Sequence, residues 1–213
     1  MSTTRINRGL YLITEHVQLD FASLLAITES VLPLGISVLQ YRNKSTDYEQ
    51  KMEQARQLQQ LCQTYKVPFI INDDLQLAIS LGADGVHLGR DDGDCKSARL
   101  LLGAQKLIGV SCYNDLARAE QAVNEGADYI AFGAMFATST KTNTVHASTD
   151  LITQAKQRYT VPLVAIGGIT PENCEPIIVA GADLLATVSS VYLASNPSDV
   201  VIKFNQQMVK YSS

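Results

Sequence analysis

The run GADYIAFGAMFATSTKT, residues 126–142, contains the plan of the whole chain in miniature. It opens on Gly126-Ala127-Asp128, rises through an apolar run from Tyr129 to Phe136, and ends in Thr138, Ser139, Thr140 and Lys141. A glycine just past a helix takes the left-handed conformation that closes it. The first three residues therefore read as a joint between a helix and a strand. The apolar run reads as a buried strand. Its polar tail is equipped to hold an anion, because hydroxyls and an ammonium suit phosphate oxygens. Each such charge-assisted hydrogen bond contributes about 1.5–3 kcal/mol.

Outward from this stretch, the joint recurs. Gly82-Ala83-Asp84 and Gly181-Ala182-Asp183 repeat it, and Gly35 before Ile36 does the same without the aspartate. Pro68 and Pro162 stand where strands begin, a position where a missing N–H costs least. Eight apolar runs read as strands: Leu10–Thr14, Ser37–Arg42, Pro68–Asn72, Gly85–Leu88, Leu107–Ser111, Tyr129–Phe136, Leu163–Gly167 and Leu184–Ser189. Helical spacing lies between and after them, over Phe21–Leu32, Tyr48–Tyr65, Leu75–Leu81, Ser97–Leu102, Leu116–Glu125, Leu151–Tyr159, Pro171–Ala180 and Ser198–Val209. On Tyr48–Tyr65, Met52, Ala55, Leu58, Leu61 and Cys62 fall on one face. Eight units in 213 residues leave roughly 26 residues each, compact but sufficient for a (β/α)8 TIM barrel. The count of eight and the lack of a visible linker favour a single barrel domain over residues 1–213. A doubly wound open sheet is the alternative.

Composition narrows the function. The chain is 46% hydrophobic and 18% charged, with a net charge of −4, the profile of a soluble globular protein. No Lys/Arg block marks a nucleic-acid face. No apolar run reaches bilayer length, and the start shows no signal-peptide pattern. Cys62, Cys95, Cys112 and Cys174 are scattered without a C-x-x-C pair. They read as free thiols in a reducing compartment, so a cytoplasmic location is expected. The sequence leaves open whether the chain forms a homo-oligomer.

In a barrel of this kind the active site lies at the C-terminal ends of the strands, and polar residues gather there. The ends read Gln40-Tyr41-Arg42-Asn43-Lys44, Asn72-Asp73-Asp74, His87-Leu88-Gly89-Arg90-Asp91-Asp92, Ser111, the Thr138–Lys141 tail, Gly167-Gly168-Ile169-Thr170-Pro171 and Val188-Ser189-Ser190. Strands three and four should be neighbours, so Asp73 and Asp92 can share a site. Two hard oxygens plus substrate phosphates is a typical Mg2+ arrangement. Alternatively, Asp73 or Asp74 N-caps the next helix while Asp91, Asp92 and Asp94 form a solvated turn. Gln40, Arg42 and Lys44 alternate and can face one side of an extended segment, Arg as a fork and Lys as a point charge; a solvated strand end is the competing reading. Gly167-Gly168 would let backbone N–H groups approach an anion, with Pro171 early in the next helix. His87 reads as a barrel-interior residue, His16 and His146 as loop residues, and Tyr11, Tyr41 and Phe136 as packing.

Together these segments resemble the thiamine phosphate synthase (thiamine-phosphate pyrophosphorylase) family. The resemblance rests on Tyr11–Thr14, Gln40-x-Arg42-x-Lys44, Ile71-Asn72-Asp73, Asp84–Gly89, Ile108–Ser111, Phe132-Gly133-x-x-Phe136-x-Thr138-x-Thr140-Lys141 and Ala165–Ile169, in order along the whole chain. It implies a (β/α)8 transferase acting on two small molecules, hydroxymethylpyrimidine diphosphate and a thiazole phosphate, plain or carboxylated. Carried over by position, Gln40, Arg42, Lys44, Asn72, Ser111 and Lys141 would contact the diphosphate, with Arg42, Lys44, Ser111 and Lys141 the catalytic candidates. Asp73 and Asp92 would hold Mg2+. Thr138, Thr140, Gly168, Val188 and Ser189 would bind the thiazole phosphate. Arg90 departs from the glutamine common in the family, and Ala134 and Ala137 from prolines. The residue set suggests a dissociative substitution without base or covalent nucleophile, beneath a Thr138–Lys141 loop that closes over the substrates. A thiazole tautomerase, another phosphate-binding barrel or a non-enzymatic regulator are the rival readings.

Overall fold

Parallel strands buried on both faces read as continuous apolar runs, and each run identified above becomes one. The computed structural model describes residues 6–14, 18–137 and 146–211. Its order is β1 (Gly9–Ile13), α1 (Phe21–Val31), β2 (Ile36–Tyr41), α2 (Tyr48–Tyr65), β3 (Phe69–Asn72), α3 (Leu75–Leu81), β4 (Gly85–Leu88), α4 (Cys95–Leu102), β5 (Leu107–Tyr113), α5 (Leu116–Asn124), β6 (Tyr129–Phe132), α6 (Thr149–Arg158), β7 (Leu163–Ile166), α7 (Glu175–Val179), β8 (Leu184–Thr187), α8 (Ser189–Tyr192) and α9 (Pro197–Lys210). Every strand pairs in parallel with the next, and Gly9 of β1 lies opposite Leu184 of β8. The ring is closed, which excludes the open-sheet alternative.

Two apolar layers follow from the strand period. Tyr11, Val38, Ile70, Leu107, Tyr129, Val164 and Leu184 point into the ring. Leu10, Leu12, Leu39, Phe69, Ile108 and Leu185 point outward, against helix residues such as Ala55, Leu58, Ala119, Ile152 and Phe204. Gly109 makes room inside, since a Cβ there would strike the Tyr129 ring. All four cysteines are buried free thiols. Among the described residues no helix is long and apolar enough to cross a membrane.

The two rims are built differently. At the strand starts, Gly82, Gly126 and Gly181 carry φ of 67°, 93° and 108°. The aspartates that follow reach back to the preceding strand. Asp84, Asp128 and Asp183 accept from the backbone N–H of Phe69, Ile108 and Leu163 at 2.9, 2.6 and 2.8 Å. At the strand ends, aspartates cap helices instead. Asp20, Asp47, Asp74, Asp94 and Asp115 each accept from the first turn of the helix that follows.

Several boundaries differ from the sequence reading, three of them at the rim that bears the polar residues. β6 stops at Phe132 rather than Phe136, because the chain then bonds sideways along β7: Met135 N–H to Ile166 O and Phe136 N–H to Gly167 O, both 3.0 Å. β8 stops at Thr187, where Val188 turns into α8 at φ −120°, ψ −83°. α7 starts at Glu175, not Pro171. Residues 170–173 form a turn instead, in which Asn173 Oδ1 accepts from Thr170 N–H at 2.8 Å and its amide donates to Gly168 O at 2.9 Å.

Candidate active site

Of the aspartates in these loops, Asp73 and Asp92 stand apart from the helix-capping set. Asp74 caps α3 and Asp94 caps α4, which settles the capping alternative in favour of those two. Asp73 adopts a left-handed φ of 63°, uncommon outside glycine though tolerated by aspartate. Its N–H is held by His87 O at 2.8 Å. This turn aims its carboxyl at Asp92, with which it shares a hydrogen bond. Asp92 Oδ2 also accepts from Gly89 N–H at 3.0 Å. A Cβ at residue 89 would collide with Asp92, so the glycine lets the carboxyl lie against the backbone.

Lys44 completes the cluster, its Nζ 2.9 Å from Asp73 Oδ2. The electrostatics are asymmetric. Burial pushes the Asp73 carboxyl up, but hydrogen bonds from Lys44 and Asp92 and the Lys44 charge outweigh it and hold Asp73 low. Burial, the hydrogen bond to Asp73 and that carboxylate's charge push Asp92 up. The two neighbouring carboxyls are thus driven in opposite directions, beside an ammonium. No group of three or more His, Cys, Asp or Glu gathers to hold a metal among the described residues. Two carboxylates that leave further positions to substrate oxygens and water fit Mg2+, which seldom uses an all-protein cage.

The other residues singled out in the sequence distribute around this rim. Asn72 ends β3. Arg42 follows β2 with its backbone clamped by Thr14: Arg42 N–H donates to Thr14 Oγ1 at 2.9 Å, and that hydroxyl donates to Arg42 O at 3.2 Å. Gln40 is buried and donates to Tyr11 Oη at 2.9 Å. Ser111 Oγ lies 2.9 Å from His87 Nε2. Across the ring, Ser190 Oγ donates to Ile169 O at 2.6 Å, so the Gly168 turn and Val188-Ser189 are neighbours. Gly168, at φ 64°, has Ala137 O and Phe136 Cβ within 3 Å of where its own Cβ would be. The glycine pair thus admits the loop after β6 as well as any ligand. Thr138, Thr140 and Lys141, with His16, lie outside the described residues. Arg90 lies over the Tyr113 ring, 4.7 Å from its centroid.

Sequence reading missed what links these groups. Tyr11 Oη and Tyr129 Oη are 2.8 Å apart, and Tyr129 Oη is 3.2 Å from His87 Nδ1. A continuous chain therefore crosses the barrel interior from Gln40 through Tyr11, Tyr129 and His87 to Ser111. Burial raises both phenols and lowers His87 to about 4. All three stay neutral at pH 7, which suits a hydrogen-bonded floor rather than a base. Tyr11 and Tyr129 look like ordinary inward-facing aromatics in sequence; only closure of the ring, which sets β1 and β6 around one interior, brings their hydroxyls together.

A closed ring with charged and amide groups gathered on one rim and aspartate pins on the other is the architecture of a (β/α)8-barrel enzyme. The family model for thiamine monophosphate synthase matches residues 10–191. A thiamine-phosphate synthase from Azoarcus sp. (strain BH72) is 54% identical over 190 residues, covering 89% of this chain and 92% of its own length. One from Xanthomonas campestris is 50% identical over 197 residues, covering 92% and 94%. The solved thiamine phosphate pyrophosphorylase of Pyrococcus furiosus superposes with a TM-score of 0.85 at 27% identity, covering 96% of this chain and 97% of its own. The chain belongs to the thiamine monophosphate synthase family and is a transferase.

Proposed function

We propose that the chain joins hydroxymethylpyrimidine diphosphate to a thiazole phosphate, plain or carboxylated, releasing pyrophosphate and thiamine phosphate, with carbon dioxide as a further product of the carboxylated form. The observation that carries this reading is the Asp73–Asp92 pair with Lys44 at 2.9 Å, set at the rim that also bears Asn72 and Ser111. Asp73 and Asp92 would hold Mg2+. When bound, the metal would neutralise charge on the departing diphosphate.

The chain's own groups do the rest. Arg42, Lys44 and Lys141 would meet the remaining diphosphate oxygens, with Gln40, Asn72 and Ser111 fixing the substrate. The bond between the substrate methylene and the diphosphate oxygen breaks with its electron pair going to pyrophosphate. The aminopyrimidine ring delocalises the cation left behind. The thiazole nitrogen then gives its lone pair to that carbon. With the plain thiazole phosphate no proton moves in this exchange. With the carboxylated form carbon dioxide leaves and the ring carbon takes one proton from water, so in neither case does a side chain have to act as a base. The thiazole phosphate would sit on Gly168, Val188 and Ser189, with Thr138 and Thr140 from the loop after β6. Positioning and fixed charge supply the acceleration. We place the site, within one barrel domain, at the strand C-termini, and closure of the Thr138–Lys141 loop over it would keep water from the cation.

The test is direct. Purified protein is mixed with both substrates and Mg2+, and thiamine phosphate is followed by its fluorescent oxidation product. Product that EDTA abolishes is expected. Asp73→Ala should lower turnover by about a hundredfold or more while unfolding as cooperatively as the unmodified protein. Near-native turnover of that variant at limiting Mg2+ would remove the metal assignment, and no product from the folded native chain would remove the reading.

A further inference from the structure

Arg118 belongs to none of the motifs quoted above. It leaves the first turn of α5, where Asp115 Oδ1 accepts from the N–H of Ala117 and Arg118 at 2.8 and 3.1 Å. Its guanidinium then reaches over the rim. Nε donates to Ser111 O at 2.7 Å, and Nη2 donates to Gly89 O at 2.9 Å. Gly89 holds Asp92 through its N–H, and Ser111 presents its hydroxyl beside His87. One side chain thus grips the backbone of two residues, one just past β4 and one on β5, whose other atoms face the site.

The grip is braced from below. Tyr113 adopts φ 57°, uncommon for an aromatic residue and sustained only where its surroundings dictate it. Its ring lies 5.9 Å from the Arg118 guanidinium carbon and 4.7 Å from that of Arg90, so two cations share one aromatic face or edge. The arginine fork suits this task, since it reaches two carbonyls with fixed geometry where lysine offers a single point charge.

We propose that Arg118 is a positioning residue for the metal-and-diphosphate half of the site. It acts through Gly89 on Asp92 and through Ser111 on the substrate, without touching either ligand. This rests on the function proposed above. Residues that orient metal ligands typically carry about 10–100-fold in affinity or activity.

Calorimetric titration of Mg2+ in the presence of inorganic pyrophosphate reads the effect without turnover. Arg118→Met should weaken Mg2+ binding about tenfold. In steady state, KM for the pyrimidine diphosphate should rise with it, while KM for the thiazole phosphate holds. Arg118→Lys should recover part of the loss. Should Arg118→Met fail to fold, Arg118→Lys and Tyr113→Asn carry the comparison, asparagine tolerating the left-handed backbone. Unchanged Mg2+ affinity in a folded variant, or equal loss toward both substrates alongside a lowered melting temperature, would overturn the positioning role alone. A native protein that neither binds Mg2+ with pyrophosphate nor makes thiamine phosphate would overturn the function and this inference together.

Discussion

His87 shows how a single buried side chain ties stability to pH. It is 8% exposed and bonded on both ring nitrogens, to Tyr129 and Ser111. Burial lowers its pKa to about 4, only partly opposed by the charge of Asp73. In the unfolded chain an ordinary histidine titrates near 6.5. Between those values the unfolded state binds the extra proton, so stability falls as pH drops through the window and levels off below it. Above pH 6.5 the contribution is fully present. The full span corresponds to about 3 kcal/mol. Denaturant unfolding at a series of pH values should show this limb, and His87→Gln, which cannot titrate, should flatten it. An unchanged slope in that variant would assign the acid sensitivity to other groups.

The repeated joints make a prediction about how elements are held rather than how they react. Asp128 accepts from Ile108 N–H and pairs with Arg99 at 2.5 Å, while Arg99 also donates to Gly103, Lys106 and Gly126 carbonyls. The ion pair is partly exposed and contributes little; the bond to a backbone N–H in the sheet matters more. Asp128→Ala should cost about 1–3 kcal/mol in thermal or urea unfolding and leave kcat/KM unaltered, because the pin lies at the rim away from Asp73. A drop in kcat/KM at a temperature where the variant is folded would contradict that separation. These joints were legible in sequence because their chemistry is local: the glycine closes the helix just finished and the aspartate precedes the strand about to start. The eight strands were legible for the same reason. The end of β6 and the reach of Arg118 were not, since each is set by a partner far along the chain: Ile166 for Met135, Gly89 for Arg118. The late start of α7 is set locally, by Asn173 side-chain bonds to Thr170 and Gly168 that the helical spacing does not reveal. Asp73 and Asp92 were visible as candidates, but sequence could not tell them from the capping aspartates beside them. The left-handed turn at Asp73 and the Gly89 N–H bond to Asp92 separate them.

The ring as a whole keeps its two rims independent, and its ends meet. Arg8 Nη2 donates to Tyr211 O at 3.3 Å, and α9 buries Val201, Phe204 and Met208 with Asn205 donating to Leu34 O at 2.6 Å. The two ends of the described chain are therefore neighbours, and a short Gly/Ser linker can join them. Ala104 and Gln105 are exposed between α4 and β5, on the rim of strand starts, where a cut breaks no bond near Asp73 or Asp92. A circular permutant opened there should fold and keep kcat/KM within about threefold. A permutant opened between Arg90 and Asp91 should also close its barrel, because β4 and α4 remain intact on either side of the cut. It frees the loop that holds Asp92, however, and misplacing a reacting group by an ångström costs on the order of a hundredfold. Its Mg2+ requirement should shift upward along with that loss. Equal activity in the two permutants, both folded by circular dichroism, would mean that the chemistry does not depend on the loop after β4 and would move the site away from this rim.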